Sequence, residues 1–103
     1  MIEISVAKDF SIKPFGRYLS DGKWSGERFR KDILYPAFKL NPGENIIVSL
    51  NNIPRGFGSS FLEEAFGGLV RDGIPKETLE KNLVILSDEE DYIIEIKEYI
   101  EKA

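Results

Sequence analysis

Hydroxyl, carboxylate, ammonium and guanidinium groups are the chemistry this chain carries, because its 103 residues include neither histidine nor cysteine. Without histidine it lacks the commonest general base and metal ligand. Without cysteine it has no thiol nucleophile, thiolate metal site or disulfide. The densest group of candidates is Gly56-Phe57-Gly58-Ser59-Ser60-Phe61-Leu62-Glu63-Glu64-Ala65-Phe66-Gly67-Gly68-Leu69. It sets a glycine-flanked serine pair where a strand's loop gives way to a helix. A hydroxyl there either caps the helix or stands where another protein can reach and modify it.

Ser60-Phe61-Leu62-Glu63 fits a capping box. In that arrangement the Ser60 hydroxyl accepts from the Glu63 amide, and the Glu63 carboxylate accepts from the Ser60 amide. Such a cap contributes about 1 kcal/mol. It assigns Ser60 and Glu63 to helix stability and leaves Ser59, opened by Gly58 before it, as the candidate phospho-acceptor. A phosphate on Ser59 meets free amides at a helix start. Glu63 and Glu64 repel it from within one turn, and each effect is on the order of 1 kcal/mol. Gly67-Gly68 costs roughly 2 kcal/mol against alanine inside a helix. Close approach of a strand, a helix or a partner chain compensates that cost; a helix break at Phe66 is the competing reading. Gly58, Phe61, Glu64, Gly67 and Gly68 are accordingly the candidate partner-facing residues.

A second constellation is Arg17 with the Ser25-Gly26 helix start and Arg28. Backbone amides and guanidinium groups of this kind hold phosphate, which makes a small-molecule or nucleotide-binding domain the alternative function. Arg17, Lys23, Arg28, Arg30 and Lys31 otherwise read as a solvated basic face. An enzyme is disfavoured: Glu63 and Glu64 are adjacent, project about 100° apart on a helix and cannot share a proton. The expectation is a noncatalytic chain with no metal site and no cofactor. Phe15, Tyr18 and Trp24 lie in a turn-rich segment, either as interface aromatics or as a cap on one end of the core.

Positioning these groups falls to a short alternation of strands and helices. Ile2, Ile4 and Val6 alternate with polar residues as in a half-buried strand over 2–7. Turns at Pro14-Phe15-Gly16 and Ser20-Asp21-Gly22 follow. Ser25 is an N-cap with Glu27 in the first turn, and Phe29, Ile33, Leu34 and Ala37 or Phe38 recur at helical spacing. Pro36 predicts a kink or an end near Tyr35. Ile46 to Leu50 is a buried strand, residues 60–71 a helix, 75–81 one further helical turn, and Leu83 to Leu86 a third strand. A last helix begins at Asp88, with Tyr92, Ile93, Ile96, Tyr99 and Ile100 on one face. The strand–helix–strand unit at 45–86 predicts parallel pairing.

Length, with 42% hydrophobic residues and twelve aromatics, supports one domain over 1–103 with a single core. Residues 1–40 carry eight Lys/Arg against five Asp/Glu, and residues 41–103 six against thirteen. An acidic C-terminal half argues against nucleic acid as a partner. No apolar run reaches the roughly 18 residues of a membrane span, and the N-terminus lacks a signal-peptide pattern, so a cytoplasmic location is expected. The sequence leaves open whether the chain forms a homodimer.

Gly16-Arg17-Tyr18, Ser25-Gly26-Glu27-Arg28-Phe29-Arg30, the strand at 46–50 and Ser59-Ser60-Phe61-Leu62-Glu63-Glu64-Ala65-Phe66-Gly67-Gly68-Leu69 together resemble the STAS-like domain family of unknown function. The likeness covers nearly the whole chain. It implies an α/β fold with a small mixed β-sheet and helices packed mainly on one side. The family is related to the anti-sigma factor antagonists, in which a serine at a helix N-terminus is phosphorylated by an anti-sigma factor that is also a serine kinase. The first serine of that motif matches Ser59 and the second Ser60. The preceding aspartate is Gly58 here, and the small residues after the serines are Phe61-Leu62-Glu63. What the resemblance implies is a protein-interaction module of the partner-switching kind, with a histidine-kinase-type ATPase or serine kinase as its partner.

Overall fold

The structure, a computed structural model, describes residues 1–103. Three strands, β1 (Ile2–Ser5), β2 (Ile46–Ser49) and β3 (Leu83–Leu86), form one sheet in the order β1-β2-β3. Both pairings are parallel, with Ile4 opposite Val48 and Val48 opposite Ile85. The sheet is thus wholly parallel, where the resemblance implies a mixed one. Each strand is followed by helical structure that carries the chain back, so every new strand starts from the same end.

Alternation decides which face is covered. Ile4, Val6, Ile46, Val48 and Leu50 point into the helices and are buried, while Leu83 and Ile85 pack partly against the same core. The other face presents Glu3, Ser5, Ile47, Ser49, Val84 and Leu86, none of them buried. The helices therefore lie on one side of the sheet, as the resemblance implies.

Helix α1 runs through α-helical Gly26–Phe29, a π-helical turn at Arg30–Leu34 and α-helical Tyr35–Leu40. Of the kink or end that Pro36 predicts near Tyr35, the end does not occur; the helix continues, with its turn widened just before the proline. In the widened turn the Tyr35 amide donates to the Arg30 carbonyl five residues back. A wide turn just before Pro36 accommodates a ring that has no N–H to give and that would crowd the carbonyl of a regular turn.

Helix α2 has the same construction, with α-helical Ser59–Leu62, a π-helical turn at Glu63–Gly67 and α-helical Gly68–Arg71. It packs against both α1 and the last helix, so Phe61, Leu62, Ala65, Phe66 and Leu69 are essentially inaccessible. Gly67-Gly68 does not break the helix. Asp72 ends it, with Gly73 at φ 104° just beyond. Helix α3 (Lys76–Asn82) leads directly into β3, and α4 (Glu90–Lys102) closes the fold through Ile96 and Ile100. No helix is long and apolar enough to cross a membrane.

The turn-rich segment is ordered by short-range bonds. A π-helical turn at Val6–Phe10 follows β1; the Ser5 hydroxyl accepts from the Lys8 amide, and the Ser5 amide donates to Asp9. Asp21 accepts from the amides of Arg17 and Tyr18. Trp24 stands edge-on to Phe10 with ring centroids 5.3 Å apart, whereas Phe15 and Tyr18 are exposed. The three aromatics therefore divide, Trp24 to the core margin and the other two to solvent.

Candidate functional site

The loops at the carboxyl ends of β1 and β2 converge on a groove of about 620 Å³, lined by Ile12–Phe15 and Ile53–Gly58. Open α/β sheets concentrate their binding sites at this end. Lys13 and Arg55 stand on its walls, and neither enters an ion pair. Phe15 is 73% exposed beside them. Gly58 forms the last part of the wall and is also the residue that starts α2.

Gly58 is the N-cap of α2, extended at φ −79° and ψ 152°, and no side chain caps the helix. Ser59 and Ser60 occupy the first two helical positions, and both are exposed. The intrahelical ladder begins with the Leu62 amide donating to the Gly58 carbonyl. No side chain accepts from the amides of Ser59, Ser60 or Phe61. The capping box expected of Ser60 and Glu63 is therefore not formed. Its acid is engaged elsewhere: Glu63 takes Arg17 at 2.5 Å and Arg71 at 2.7 and 3.1 Å. The Glu63 amide is used inside the helix, donating to the carbonyls of Ser59 and Ser60, and glycine serves acceptably at an N-cap.

Beneath the serines lies a network of three arginines and three carboxylates. Arg30, 5% exposed, donates from Nη1 to Glu64 Oε2 at 2.8 Å and also to the Glu64 carbonyl. Its Nε donates to Asp72 at 2.8 Å. Arg17 reaches both Glu63 and Glu64, and Arg71 lies 3.7 Å from Glu64. The hydrogen bonds from Arg71, and then the one from Arg17, hold the Glu63 carboxyl below its ordinary value against the opposing effect of burial. Glu63 in turn raises Arg17 and Arg71. The two adjacent acids are paired with arginines of the chain, which offsets the repulsion expected at Ser59.

This packing overturns four of the five expected partner-facing positions. Phe61, Glu64, Gly67 and Gly68 are buried, and only Gly58 is exposed. The glycine pair answers to the chain's own interior. A β-carbon on Gly68 would meet the Arg30 guanidinium, and one on Gly67 would meet the Glu63 carboxylate and the Tyr99 carbonyl.

The second constellation is closed as an anion site. Ser25 caps α1 as expected, its hydroxyl accepting from the Arg28 amide at 3.2 Å. It is fully buried, however, and Gly26 lies so close to the Phe61 carbonyl that a β-carbon would not fit. The Gly26 and Glu27 amides donate to the carbonyls of Gly16 and Arg17. All three leading amides of this helix are thus satisfied within the chain. Arg17 is committed to Glu63 and Glu64, and Arg28 faces Asp32 at 3.7 Å. Sequence reasoning missed Lys13 and Arg55, which line one groove only because two loops distant in the chain converge there. It also placed Arg30 on a solvated face, since its approach to Gly68 exists only in the fold.

The comparisons agree with the geometry at the level of the domain. A family model described as a STAS-like domain of unknown function matches residues 25–92, from the Ser25 cap to the residue whose hydroxyl accepts from the Phe57 amide. Neither the curated proteins nor the solved structures yield a match.

Proposed function

Because the chain belongs to the STAS-like domain family of unknown function, we propose that it is a noncatalytic protein-interaction module whose binding end is the groove and helix start around Ser59. The observation that carries the reading is an exposed hydroxyl at the first position of an uncapped helix. Free amides behind Ser59 favour an added anion, and Arg17 and Arg71 neutralise the acid one turn later. A phosphate on Ser59 changes the charge of the binding end without disturbing the core, which is the requirement of a partner switch. The partner is a serine kinase or a histidine-kinase-type ATPase that both reads and modifies this surface.

The test is to incubate the protein with ATP and each candidate kinase, map the modified residue by peptide mass spectrometry, and titrate the same kinase with wild type and Ser59→Asp. Modification at Ser59 with weaker binding of Ser59→Asp is the expected result. Modification elsewhere, or none, removes the switch; equal binding of both proteins removes the surface.

A further inference from the structure

The two edges of the sheet are finished differently. On β1, strand alternation turns Glu3 and Ser5 outward; the Ser5 amide is taken by Asp9 at 2.7 Å, and Glu3 adds an exposed charge. These are the devices that keep an edge strand from pairing with another chain. On β3 they are missing. Leu83-Val84-Ile85-Leu86 has no charge, no proline and no bulge, and nothing in the chain pairs with its outer side.

The direction of its free groups follows from the register. The Leu50 amide donates to the Leu86 carbonyl, so Leu86, and by alternation Val84, bond towards β2. The Ile85 amide and carbonyl, with the Leu83 carbonyl and the Ser87 amide, then point outward. The Leu83 amide is already given to Leu79. Beside this edge runs an apolar groove of about 500 Å³ between β3 and α4. Its rim carries Lys97, Glu80 and Glu101, none of whose side chains forms an ion pair.

We infer that β3 pairs antiparallel with β3 of a second copy of this chain, about a two-fold axis through Ile85. The free groups match themselves under that rotation. The Ile85 amide of each copy meets the Ile85 carbonyl of the other, and the Ser87 amide meets the Leu83 carbonyl. Val84 then stands opposite Leu86, joining the open apolar rows of the two sheets into one. The rim is self-complementary as well, because it offers both signs unpaired; a uniformly charged partner would leave one of them unanswered. The result is a six-stranded sheet with β1 at each end, and the groove at Ser59 belongs to a different part of the molecule.

Sedimentation equilibrium on the full chain, with hydrogen exchange at low and high concentration, tests this. The expected result is a species of twice the 11.7 kDa chain mass. In that species exchange of the Ile85 and Ser87 amides slows by about tenfold or more. Val84→Lys and Leu86→Lys, both at exposed positions, return the protein to a monomer with unchanged circular dichroism, and Lys97→Glu weakens the dimer. A monomer at every concentration overturns the proposal. So does a dimer in which the Ile85 amide exchanges as fast as in dilute solution, since that dimer uses another surface.

Discussion

The guanidinium of Arg30 lies against Gly68 in the volume that a β-carbon at position 68 would occupy. The pair joins α1 to α2 at the point where Arg30 also holds Glu64 and Asp72. A glycine that is expensive for its own helix is required by a charge that arrives from another.

Gly68→Ala is expected to reverse the usual sign. In an exposed helix the change gains up to about 1 kcal/mol, but here overpacking against a buried cation costs about 1–3 kcal/mol. Arg30→Ala alone is expected to cost about 3 kcal/mol or more, because it strips a partner from buried Glu64. Urea denaturation of the two single variants and the double variant checks both. Because alanine at 68 no longer clashes once Arg30 is gone, the double variant should lose less than the two single losses together. Additive losses would show that the two residues do not touch in solution.

Acid should release the Glu63 contribution. Arg71 and Arg17 lower its folded value, so the stability it adds is fully present above the ordinary carboxylate value of 4.5 and is lost as pH falls through the lower folded value. The wild-type advantage over Glu63→Gln should therefore be constant near neutrality and close below about pH 4.5. Thermal melts of both proteins between pH 3 and pH 7 measure it. A gap that persists undiminished at the acid end would mean that the arginines do not act on this carboxylate.

Two serines that look alike as caps should behave differently. Ser25→Ala removes a buried cap and is expected to cost about 1–2 kcal/mol. Ser60→Ala touches no hydrogen bond and should stay within about 0.5 kcal/mol of wild type. Denaturant midpoints decide it, and a large loss at Ser60 would restore the capping box.

Ser59→Asp should raise the stability of the isolated protein by a few tenths of a kcal/mol up to about 1, since it sets a negative charge on unsatisfied amides. Without the arginines the same charge would face Glu63 directly. Repeating the substitution in an Arg71→Leu background should shrink or invert the gain. An equal gain in both backgrounds would show that Arg71 does not shield this position.

Much of the frame was legible because it depends on local pattern. The β-branched runs at 46–50 and 83–86 and the alternation from Ile2 are strand signals that no tertiary contact has to supply. The Ser25 cap was legible for the same reason. The site was legible mainly as a location. Whether Ser60 capped α2 depended on where the helix began. With Gly58 as its N-cap, Ser60 is already a helical residue and the Glu63 amide donates to the carbonyls of Ser59 and Ser60. Arg17 and Arg71 hold the Glu63 carboxylate from outside the motif. The helix start at Gly26 looked open to an anion until the carbonyls of Gly16 and Arg17 closed over its amides. Pro36 read as a kink or a stop because a regular turn cannot hold it, and the widened turn before it lets the helix continue.

Those widened turns also bear on how relatives of this chain should be aligned. A π-helical turn is one residue longer than the α-turn it replaces, so a relative that lacks it is shorter by one within the helix and keeps the same residues on the same faces beyond it. Single-residue gaps are then expected inside α1, at Arg30–Leu34, and inside α2, at Glu63–Gly67. Moving such a gap into a neighbouring loop would shift Arg30, Glu64 and Gly68 out of correspondence and erase from the alignment the contact that joins the two helices.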